Sequence, residues 1–598
     1  MNNMKRVVAG VHVQSDSSIE VNVWAPFKKK VDLKIVAPIE KIVPMDKCAN
    51  GYHTVRINQP IEIFDYYFIL DEEHSFPDPA SHWQPQGVVG PSRVYPFSQF
   101  HWEDSKWKGI PLKEAIIYEI HVGTFTPAGT FQGIIDKIPY FKEMGINTIE
   151  LMPVATFSGD RNWGYDGVYL YAPHECYGGP KGLQELVNRC HQNNIAVVMD
   201  VVYNHLGPEG NFLHEFGPYF TEKYSTPWGS AINYDESYSL NVREFVINNA
   251  LHWLEKYHID GLRLDAIHAI FDQSAYPILE ELADRFHDKA KLLGKDAWLI
   301  AESDLNDPKY VQSKKNMGIG LDAQWNDDFH HCLEAYVGKK SFGYFRDYGS
   351  IYDLTKAITE GFVQDGKWSE FRQRYHGKPS TEIPLNKLVN FLQNHDQIAN
   401  ASQGKRIASY LDIDQLMVTA TILMLSPGIP MLFMGQEWGT NSPFYFFTSF
   451  TDEALGKAVT QGRKEEYASL GVDGNFHDPQ QKETFFKSKL DWSVRNESLY
   501  KQVSECYKSL ISLRKNQLQD IEKSSITTFI DKDNKSFLIS YSRDSRPCLH
   551  FAVNLSRKPV EIGINQKTSV NTLLFSTKEP SLSSSSLLFE PMSASIWI

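Results

Sequence analysis

The pattern of hydrophobic and polar positions changes character twice along the chain. Residues 19–24 (IEVNVW) and 31–35 (VDLKI) form alternating or continuous apolar runs of strand length, and polar turns separate them. From about residue 115, apolar runs of strand length alternate with segments of helix length, and beyond about residue 516 short β-type segments with Ser- and Asn-rich turns return. The pattern predicts an α/β domain between two β domains.

The middle region repeats one unit several times. Predicted strands lie at residues 115–119, 146–152, 195–202 and 261–266, and predicted helices lie at 131–144, 182–192 and 242–257. Such β-α alternation is typical of a parallel sheet covered on both faces. About eight repeats predict a closed (β/α)₈ TIM barrel, with the eighth strand at 431–434. We expect a multidomain fold with a β-sandwich at 1–105, the barrel at 106–515 and a C-terminal β-sandwich at 516–598.

Composition and charge narrow the classes of partner. A chain of 598 residues is too long for one hydrophobic core, which agrees with several domains. The net charge of −13 makes nucleic acid and anionic membranes unfavourable partners, since both require a basic face. A neutral polymer is indifferent to this charge.

Targeting signals and cysteine spacing point to the cytoplasm. The first residues contain no apolar stretch of signal-peptide length, and the most apolar segment, 416–434, is interrupted by Ser426, Pro427, Gly428 and Pro430. The six cysteines are scattered and form no CxxC pair. We therefore expect a cytoplasmic protein with reduced thiols, no membrane span and no zinc site.

Acids, histidines and an arginine recur just after the predicted barrel strands. The stretches are DVVYNH with Asp200, Asn204 and His205, GLRLDAIH with Arg263, Asp265 and His268, AWLIAESD with Glu302, and LVNFLQNHDQ with His395 and Asp396. The C-terminal ends of barrel strands meet at one mouth, so these side chains are expected to lie together. Grouping several carboxylates costs stability through repulsion and desolvation, which favours a catalytic site over unrelated helix caps or ion pairs.

In order and spacing, these four stretches resemble the signature regions of the α-amylase family of glycoside hydrolases. The resemblance implies that Asp265 is the nucleophile, Glu302 the general acid/base and Asp396 the transition-state stabiliser. A retaining pair of carboxyl groups lies about 5–5.5 Å apart. The resemblance also implies substrate contacts from Arg263, His205, His268 and His395, and stacking of the cleaved sugar ring on Tyr165 of WGYDGV.

Further stretches indicate which reaction of the family to expect. The N-terminal sandwich, similar to carbohydrate-binding modules, resembles that of branching and debranching enzymes. IAESDLNDP, AQWNDDFHH and the stretch from residue 436 to 466 resemble the trehalohydrolases of this family. This implies hydrolysis of the α-1,4 bond next to the terminal trehalose of maltooligosyltrehalose, a substrate supplied by maltooligosyltrehalose synthase.

Residues beyond the sixth and seventh strands are predicted to bind the leaving disaccharide. They are Asp327, Asp328, His330, His331 and Gln397, for which the alternative is an acidic helix cap followed by two solvated histidines. At position 401 this chain has Ala, whereas the resemblance leads us to expect an arginine. Neither a cofactor nor a metal is expected, because the chain lacks the large inserted domain that completes the calcium site near positions such as Asp200 and Asn204 in amylases.

Two other functions remain open. A glycogen branching enzyme uses the same catalytic pair, and differs in whether a glucan hydroxyl or water resolves the glycosyl-enzyme. A glucan-binding protein without activity would keep the fold, but the presence of Asp265, Glu302 and Asp396 argues against it.

Overall fold

The computed structural model describes residues 7–14, 18–58, 63–400, 403–469, 476–518, 521–544, 546–563, 572–582 and 586–598. Its N-terminal region consists of two antiparallel sheets, ordered β1-β2-β6-β5 and β4-β3-β7-β8, with β9 paired to β7. The strands are β1 (Gly10–Val13), β2 (Ile19–Trp24), β3 (Val31–Ala37), β4 (Lys41–Pro44), β5 (Asp46–Lys47), β6 (Tyr52–Ile57), β7 (Asp65–Leu70), β8 (His74–Phe76) and β9 (Ser92–Arg93).

The N-terminal sheets form because their apolar positions bury together. Val21, Val23 and Leu33 are completely or almost completely buried, as the runs in β2 and β3 predict. Trp24, at the end of β2, packs edge-on against Tyr219 of the middle region at 5.1 Å between ring centroids. The N-terminal region is therefore attached to the middle region through a shared apolar core.

Eight parallel strands of the middle region close into a barrel, which confirms the predicted fold class. In barrel order they are β10 (Ile117–Ile120), β11 (Thr148–Leu151), β14 (Ala196–Val201), β17 (Gly261–Leu264), β18 (Trp298–Ala301), β19 (Ala323–Trp325), β22 (Leu388–Phe391) and β23 (Ile429–Phe433). Three two-stranded sheets are inserted between them: β12 (Ala155–Thr156) with β13 (Tyr169–Pro173), β15 (Phe220–Thr226) with β16 (Gly229–Ile232), and β20 (Lys367–Ser369) with β21 (Arg374–His376).

Helices of very different lengths connect and cover the strands. They are α1 (Val122–Phe125), α2 (Phe131–Ile135), α3 (Ile138–Met144), α4 (Gly179–Gln192), α5 (Leu213–Phe216), α6 (Ser239–Lys256), α7 (Ile278–Leu293), α8 (Asp327–Tyr336), α9 (Ile351–Thr359), α10 (His395–Ala399), α11 (Ile413–Leu425), α12 (Glu453–Ser469), α13 (Lys482–Lys487) and α14 (Ser498–Gln517). Among the described residues, no helix combines the length and apolar character needed to cross a bilayer.

The prediction of one helix at 131–144 is wrong. The structure has two short helices there, α2 and α3, with Lys137 as the N-cap of the second and Pro139 in its first turn. Proline has no N–H to donate to the carbonyl of residue 135, so a continuous helix would lose a hydrogen bond and clash at this point. The eighth strand begins at Ile429, two residues before the predicted start.

The barrel interior changes from apolar to charged along strands such as β10 and β14. Ile117 and Val198 belong to the apolar cluster that fills the N-terminal end of the barrel. Two residues further on, with side chains on the same face of their strands, lie the buried carboxylates Glu119 and Asp200. One end of the barrel is therefore an apolar core, and the opposite end collects charged groups.

The C-terminal region contains a five-stranded sheet, β24-β25-β26-β31-β28, and a three-stranded sheet, β27-β30-β29. The strands are β24 (Ile526–Asp531), β25 (Ser536–Arg543), β26 (Arg546–Asn554), β27 (Val560–Gly563), β28 (Leu573–Ser576), β29 (Ser581–Leu582), β30 (Ser586–Phe589) and β31 (Ser593–Trp597). The buried Tyr541 hydroxyl of β25 donates a hydrogen bond to the Leu425 carbonyl at 2.9 Å, at the end of α11. This contact ties the C-terminal region to the segment that leads into the last barrel strand.

Candidate active site

The charged residues predicted from the sequence meet at the C-terminal mouth of the barrel. Asp200 lies near the end of β14, and Arg263 lies in β17 with Asp265 just beyond it. Glu302 follows β18, and Asp396 lies in the first turn of α10. Strand closure brings them together, because each of these strands points the same way.

Arg263 is the centre of the cluster. Its fully buried guanidinium contacts three carboxylates: Nη1 lies 2.7 Å from Asp200 Oδ2 and 2.8 Å from Asp265 Oδ1, and Nη2 lies 2.9 Å from Glu302 Oε2. The group also lies over the Trp325 ring, 4.2 Å from its centroid. One buried cation thus holds the proposed nucleophile and the proposed acid/base in a fixed relation.

Both carboxylate oxygens of Asp265 have donors. Asn204 Nδ2 donates to Asp265 Oδ2 at 2.8 Å and to the Asp265 main-chain carbonyl at 3.0 Å. Arg263 Nη1 donates to Asp265 Oδ1. The side chain is therefore oriented by two neighbouring strand ends. Asn204 orients the acid through these contacts.

Glu302 is held through one oxygen. The Ala266 N–H donates to Glu302 Oε2 at 2.6 Å, on the same oxygen that contacts Arg263. Ala266 adopts a left-handed conformation with φ of 38°. A non-glycine residue in this region costs roughly 1–2 kcal/mol, so the backbone turn after β17 is maintained by its contacts to the Glu302 region.

A second network surrounds His395. Its Nδ1 contacts Glu119 Oε1, its Nε2 lies 2.8 Å from the Tyr165 hydroxyl, and the Asp396 carboxylate lies 3.4 Å from Nε2. Burial alone would lower the pKa of His395, but Asp396 and Glu119 outweigh burial and raise this pKa to about 9. The imidazole is therefore a cation at neutral pH.

Tyr165 links the two networks. Its hydroxyl donates to Asp200 Oδ2 at 2.6 Å, and its ring stacks on that of His395 with the centroids 5.3 Å apart. Burial and the nearby Asp265 raise the pKa of Asp200 to about 7, although Arg263 acts in the opposite direction. Asp200 thus carries a proton more readily than an exposed aspartate.

Asp327 is a further acidic residue within electrostatic range of Glu302. Burial, together with Glu302 and Asp304, raises the pKa of Asp327 well above its usual value. Gln397 Nε2 donates to Asp327 Oδ1 at 3.3 Å, and the Tyr344 hydroxyl donates to Gln397 Oε1 at 2.9 Å. The structure therefore brings Asp327 and Gln397 together, as the sequence predicts.

Asp328 and His330 do not face the mouth, which corrects their predicted role. Asp328 is buried, and it accepts hydrogen bonds from Asn306 Nδ2 and the Val363 and Gln364 N–H groups, besides a contact with the Tyr348 hydroxyl. His330 Nδ1 donates to the Leu392 carbonyl at 2.6 Å, and burial lowers the pKa of His330 to about 4. Both are internal supports: helical geometry turns Asp328, next to Asp327, away from the mouth, and His330 is held by its hydrogen bond to the Leu392 carbonyl.

His331 and His268 have different surroundings. His331 is buried, and its ring packs on that of Tyr344 at 4.3 Å between centroids. Burial lowers the pKa of His331 well below its usual value, so it is neutral rather than solvated. His268 is exposed beyond β17, in the electrostatic range of Asp304.

His205 is held by protein contacts, and its direct contact with sugar stays a prediction. Its Nε2 lies 3.0 Å from the Tyr165 carbonyl, and its Nδ1 contacts Asn204 Oδ1. The ring is covered by the half-exposed indole of Trp228, which stacks on it at 4.4 Å. Both ring nitrogens are thus engaged, and Trp228 presents the exposed aromatic surface.

Sequence reasoning missed several residues of this mouth. Glu119 is the penultimate residue of the first strand, in IYEIH, and its place near a strand end is the signal that could have identified it. Arg372 contacts Asp304 at 3.0 Å between Nη2 and Oδ2, but it comes from a loop with no strand pattern. Trp228 and Tyr344 likewise come from insertions, so only the folded chain places them. Ala401 lies outside the described residues.

Within the described part of the chain, no group of three or more His, Cys, Asp or Glu side chains is arranged to hold a metal ion. The carboxylate oxygens at the mouth, which could otherwise bind a metal, instead contact Arg263 and accept hydrogen bonds from neutral side chains. The arrangement is suited to acid/base and nucleophilic chemistry by carboxylates.

Comparison with known proteins identifies the sequence family. The model of the alpha-amylase catalytic domain matches residues 93–227 and 235–523. The chain is 44% identical to the malto-oligosyltrehalose trehalohydrolase of Saccharolobus solfataricus, covering 84% of this chain and 86% of the relative. It is 41% identical to the enzyme of the same name from Arthrobacter ramosus, over 91% and 93% of the two chains. A 1,4-alpha-glucan branching enzyme from Pseudoalteromonas atlantica is 28% identical over 72% of this chain and 62% of its own length.

Solved structures agree in architecture. A crystal structure of a Salmonella typhimurium protein described as an alpha amylase superposes with a TM-score of 0.89 and 34% identity, covering 98% of this chain and 99% of that one. A pullulanase from Anoxybacillus, at 17% identity and a TM-score of 0.72, shares the fold, with coverage of 98% and 87%.

Proposed function

Since this chain belongs to the alpha-amylase family, among its malto-oligosyltrehalose trehalohydrolases, we propose that it hydrolyses maltooligosyltrehalose at the mouth of its barrel. The bond cleaved is the α-1,4-glucosidic bond next to the terminal trehalose, and the products are trehalose and a maltooligosaccharide. The observation that carries the proposed mechanism is the joint contact of Asp265 and Glu302 with the buried Arg263. This contact fixes a nucleophile and a proton donor beside each other.

In the first step, Asp265 attacks the anomeric carbon of the glucosyl unit that precedes trehalose. The bond between this carbon and the leaving oxygen breaks, Glu302 transfers its proton to that oxygen, and trehalose departs. Because Arg263 and the Ala266 N–H both contact Oε2 of Glu302, we assign the transferred proton to Oε1. A covalent glycosyl ester on Asp265 remains.

In the second step, Glu302 acts as a base. It accepts a proton from water, the water oxygen attacks the anomeric carbon, and the bond to Asp265 breaks to release the maltooligosaccharide with retained configuration. Asp396 stabilises the positive charge that develops on the flattened ring, and the protonated His395, 3.4 Å from the Asp396 carboxylate, orients that carboxylate. Tyr165 supports the same ring by stacking.

Recognition of the leaving trehalose is assigned to the segments beyond β18, β19 and β22. Asp327 and Gln397 form a hydrogen-bonded pair there, and Arg372 is oriented by Asp304. These groups donate and accept hydrogen bonds, which suits a disaccharide rich in hydroxyl groups. His268 and His331 stay predictions as direct contacts.

The alternative of a branching enzyme differs in the acceptor of the glycosyl group. The relatives named trehalohydrolase are 38–44% identical, whereas the branching enzyme is 28% identical. This difference favours water as the acceptor. A protein that only binds glucan would have no need for the Arg263 contacts to both acids.

The test is incubation of the purified protein with maltotriosyltrehalose. We expect trehalose and maltotriose in equal amounts, with little glucose, in a chromatographic product assay. Formation of α-1,6 branches on amylose without trehalose release would instead identify a transferase.

The proposal extends to the source of the substrate. Maltooligosyltrehalose synthase would supply the α,α-1,1-linked end, with both enzymes in the cytoplasm. We expect maltohexaose to yield trehalose only when both enzymes are present. Trehalose formation by this protein alone from maltohexaose would contradict the pairing.

A further inference from the structure

A cavity of about 730 Å³ opens beside the mouth, between the loop after β11 and the loop after β23. Asp160 and Arg161 form one wall, and the segment from Ser449 to Glu453 with α12 forms the other. Its volume lies within the roughly 300–1,000 Å³ typical of pockets that bind small ligands. No residue of this cavity takes part in the catalytic cluster described above.

The two walls are joined by a rigid connection. Ser449 Oγ accepts hydrogen bonds from the Asp160 and Arg161 N–H groups, both at 2.9 Å, and donates to the Arg161 carbonyl at 3.0 Å. Gly159 has a φ of +79°, and a Cβ at this position would lie 2.1 Å from the Ser449 carbonyl oxygen. Only glycine permits the backbones of the two walls to approach this closely, so the backbone itself holds the two walls of the cavity together.

One face of α12 lines the cavity. Lys457, Gln461 and Lys464 recur at spacings of three and four residues, and Phe450 adds a partly exposed ring just before the helix. The cavity lining carries four acidic and four basic side chains. This balance suits an uncharged ligand with many hydroxyl groups better than an anion or a cation. Arg161 is about nine-tenths buried, and its Nε has no hydrogen-bond partner among the described residues.

The barrel order fixes which part of the substrate can reach the cavity. The loops after β11 and β23 flank the first strand, β10, and in a closed ring of eight strands the fifth, β18, lies opposite. Glu302 follows β18, and a general acid lies on the side of the leaving group. The cavity therefore lies on the other side, where the retained part of the sugar chain extends.

The chain also connects the cavity directly to the catalytic centre. Two residues beyond Arg161, Trp163 packs edge-on against His395 at 5.2 Å, and Tyr165 donates to Asp200. Four residues span at most about 13 Å, so the cavity is within a few sugar units of the cleaved bond.

We propose that this cavity binds the distal glucosyl units of the maltooligosyl chain, and that it sets the preference of the enzyme for longer substrates. The inference rests on the proposed function, because it assigns the retained part of the same substrate. Phe450 stacks on a glucosyl ring, and Gln461, Lys457 and Arg161 bind its hydroxyl groups.

The experiment measures kcat/KM with maltosyl-, maltotriosyl- and maltopentaosyltrehalose in the full-length protein. For Phe450→Ala we expect about a tenfold loss with the longest substrate, as removal of a stacking ring predicts, and less than about a twofold loss with the shortest. Gln461→Ala should act in the same direction. The control is Phe486→Ala, which removes a ring that is 60% exposed on α13, outside the cavity.

A binding measurement separates this inference from the proposed function. In an Asp265→Asn background, calorimetric titration with maltoheptaose should give about tenfold weaker affinity when Phe450 is also replaced by Ala. If no substrate yields trehalose, the proposed function fails, and the maltoheptaose titration still tests the cavity. Equal losses for all chain lengths, or unchanged affinity for maltoheptaose, would overturn the cavity assignment.

Discussion

At the scale of single residues, Arg263 holds the carboxylates of the mouth together. Its guanidinium is fully buried and contacts Asp200, Asp265 and Glu302 within 2.9 Å. Grouped buried carboxylates repel each other, and a delocalised cation with several N–H donors offsets this repulsion while fixing their directions. Lysine could not make three such contacts with one planar group.

Replacement of the nucleophile is the most direct test at this scale. Asp265→Asn keeps the shape of the side chain but cannot form the glycosyl ester. We expect kcat to fall about a thousandfold or more, since loss of covalent catalysis raises the barrier by several kcal/mol. Steady-state kinetics of trehalose release measures the effect, with the exposed helix residue Asp288→Asn as a control. A variant that retains more than about a hundredth of the wild-type rate would show that the nucleophile is another residue.

The charge of His395 makes activity dependent on pH. The pKa of His395 is about 9, so the ring is protonated below this pH and loses its charge as the pH rises through it. We expect kcat/KM to decrease on that alkaline side, because neutral His395 can no longer donate to both Glu119 and the Tyr165–Asp396 side.

Glu119→Gln removes one of the two carboxylates that raise this pKa. The pKa of His395 should therefore fall, and the alkaline limb of the pH profile should move to lower pH. Glu437→Gln is the matched control, since Glu437 is buried after the eighth strand and accepts from Tyr118 and Tyr140 instead. An alkaline limb that stays in place in Glu119→Gln would exclude His395 as its origin.

At the scale of elements, two neighbouring acids in the first turn of α8 have different roles. Asp327 faces the mouth and contacts Gln397, whereas Asp328 points inward and binds the backbone of residues 363 and 364. The loop that carries Arg372 follows this backbone segment. Asp328 is therefore a support for the loop that would surround the leaving disaccharide.

These two acids provide a matched pair of variants. Asp328→Asn should lower the free energy of unfolding by about 1–3 kcal/mol, because an amide cannot accept all the hydrogen bonds that the carboxylate accepts. Asp327→Asn should leave stability nearly unchanged and raise KM for maltotriosyltrehalose. Thermal denaturation and steady-state kinetics measure the two effects. Equal stability losses in both variants would contradict this division.

At the scale of the whole molecule, α14 and the C-terminal region together hold the segment that precedes the last barrel strand. Arg514 of α14 donates to the carbonyls of Met424, Ser426 and Gly428, and Tyr541 donates to Leu425. These carbonyls lie at the C-terminal end of α11 and just beyond it, and they would otherwise be buried without donors. The connection thus stabilises the turn that leads into β23.

Removal of one hydroxyl group tests this connection. Tyr541→Phe should lower the free energy of unfolding by about 1–2 kcal/mol, since the buried Leu425 carbonyl loses its donor while the ring is kept. Tyr375→Phe is the control, because Tyr375 is 74% exposed on β21. Thermal unfolding measures both, and an unchanged melting temperature in Tyr541→Phe would show that the hydrogen bond contributes nothing.

Local sequence patterns determined the barrel and its acids. Strand alternation has a period of two, so a run such as AVVMD already places Asp200 at a strand end on the inward face. The same reasoning applies to Arg263 and Glu302. These are properties of single segments, and the parallel arrangement of the strands then brings them to one mouth.

Contacts between distant segments required the tertiary structure. Glu119 and His395 are separated by 276 positions, and their pairing depends on closure between the first and the last strands. Helix orientation decided that Asp327 faces the mouth and Asp328 does not, and loop packing decided that His205 contacts Tyr165 and Asn204. Sequence alone determined that acids, histidines and an arginine from several strand ends surround the mouth. Only the folded chain decided which of them contact one another, because those contacts depend on loop and helix packing that no local period encodes.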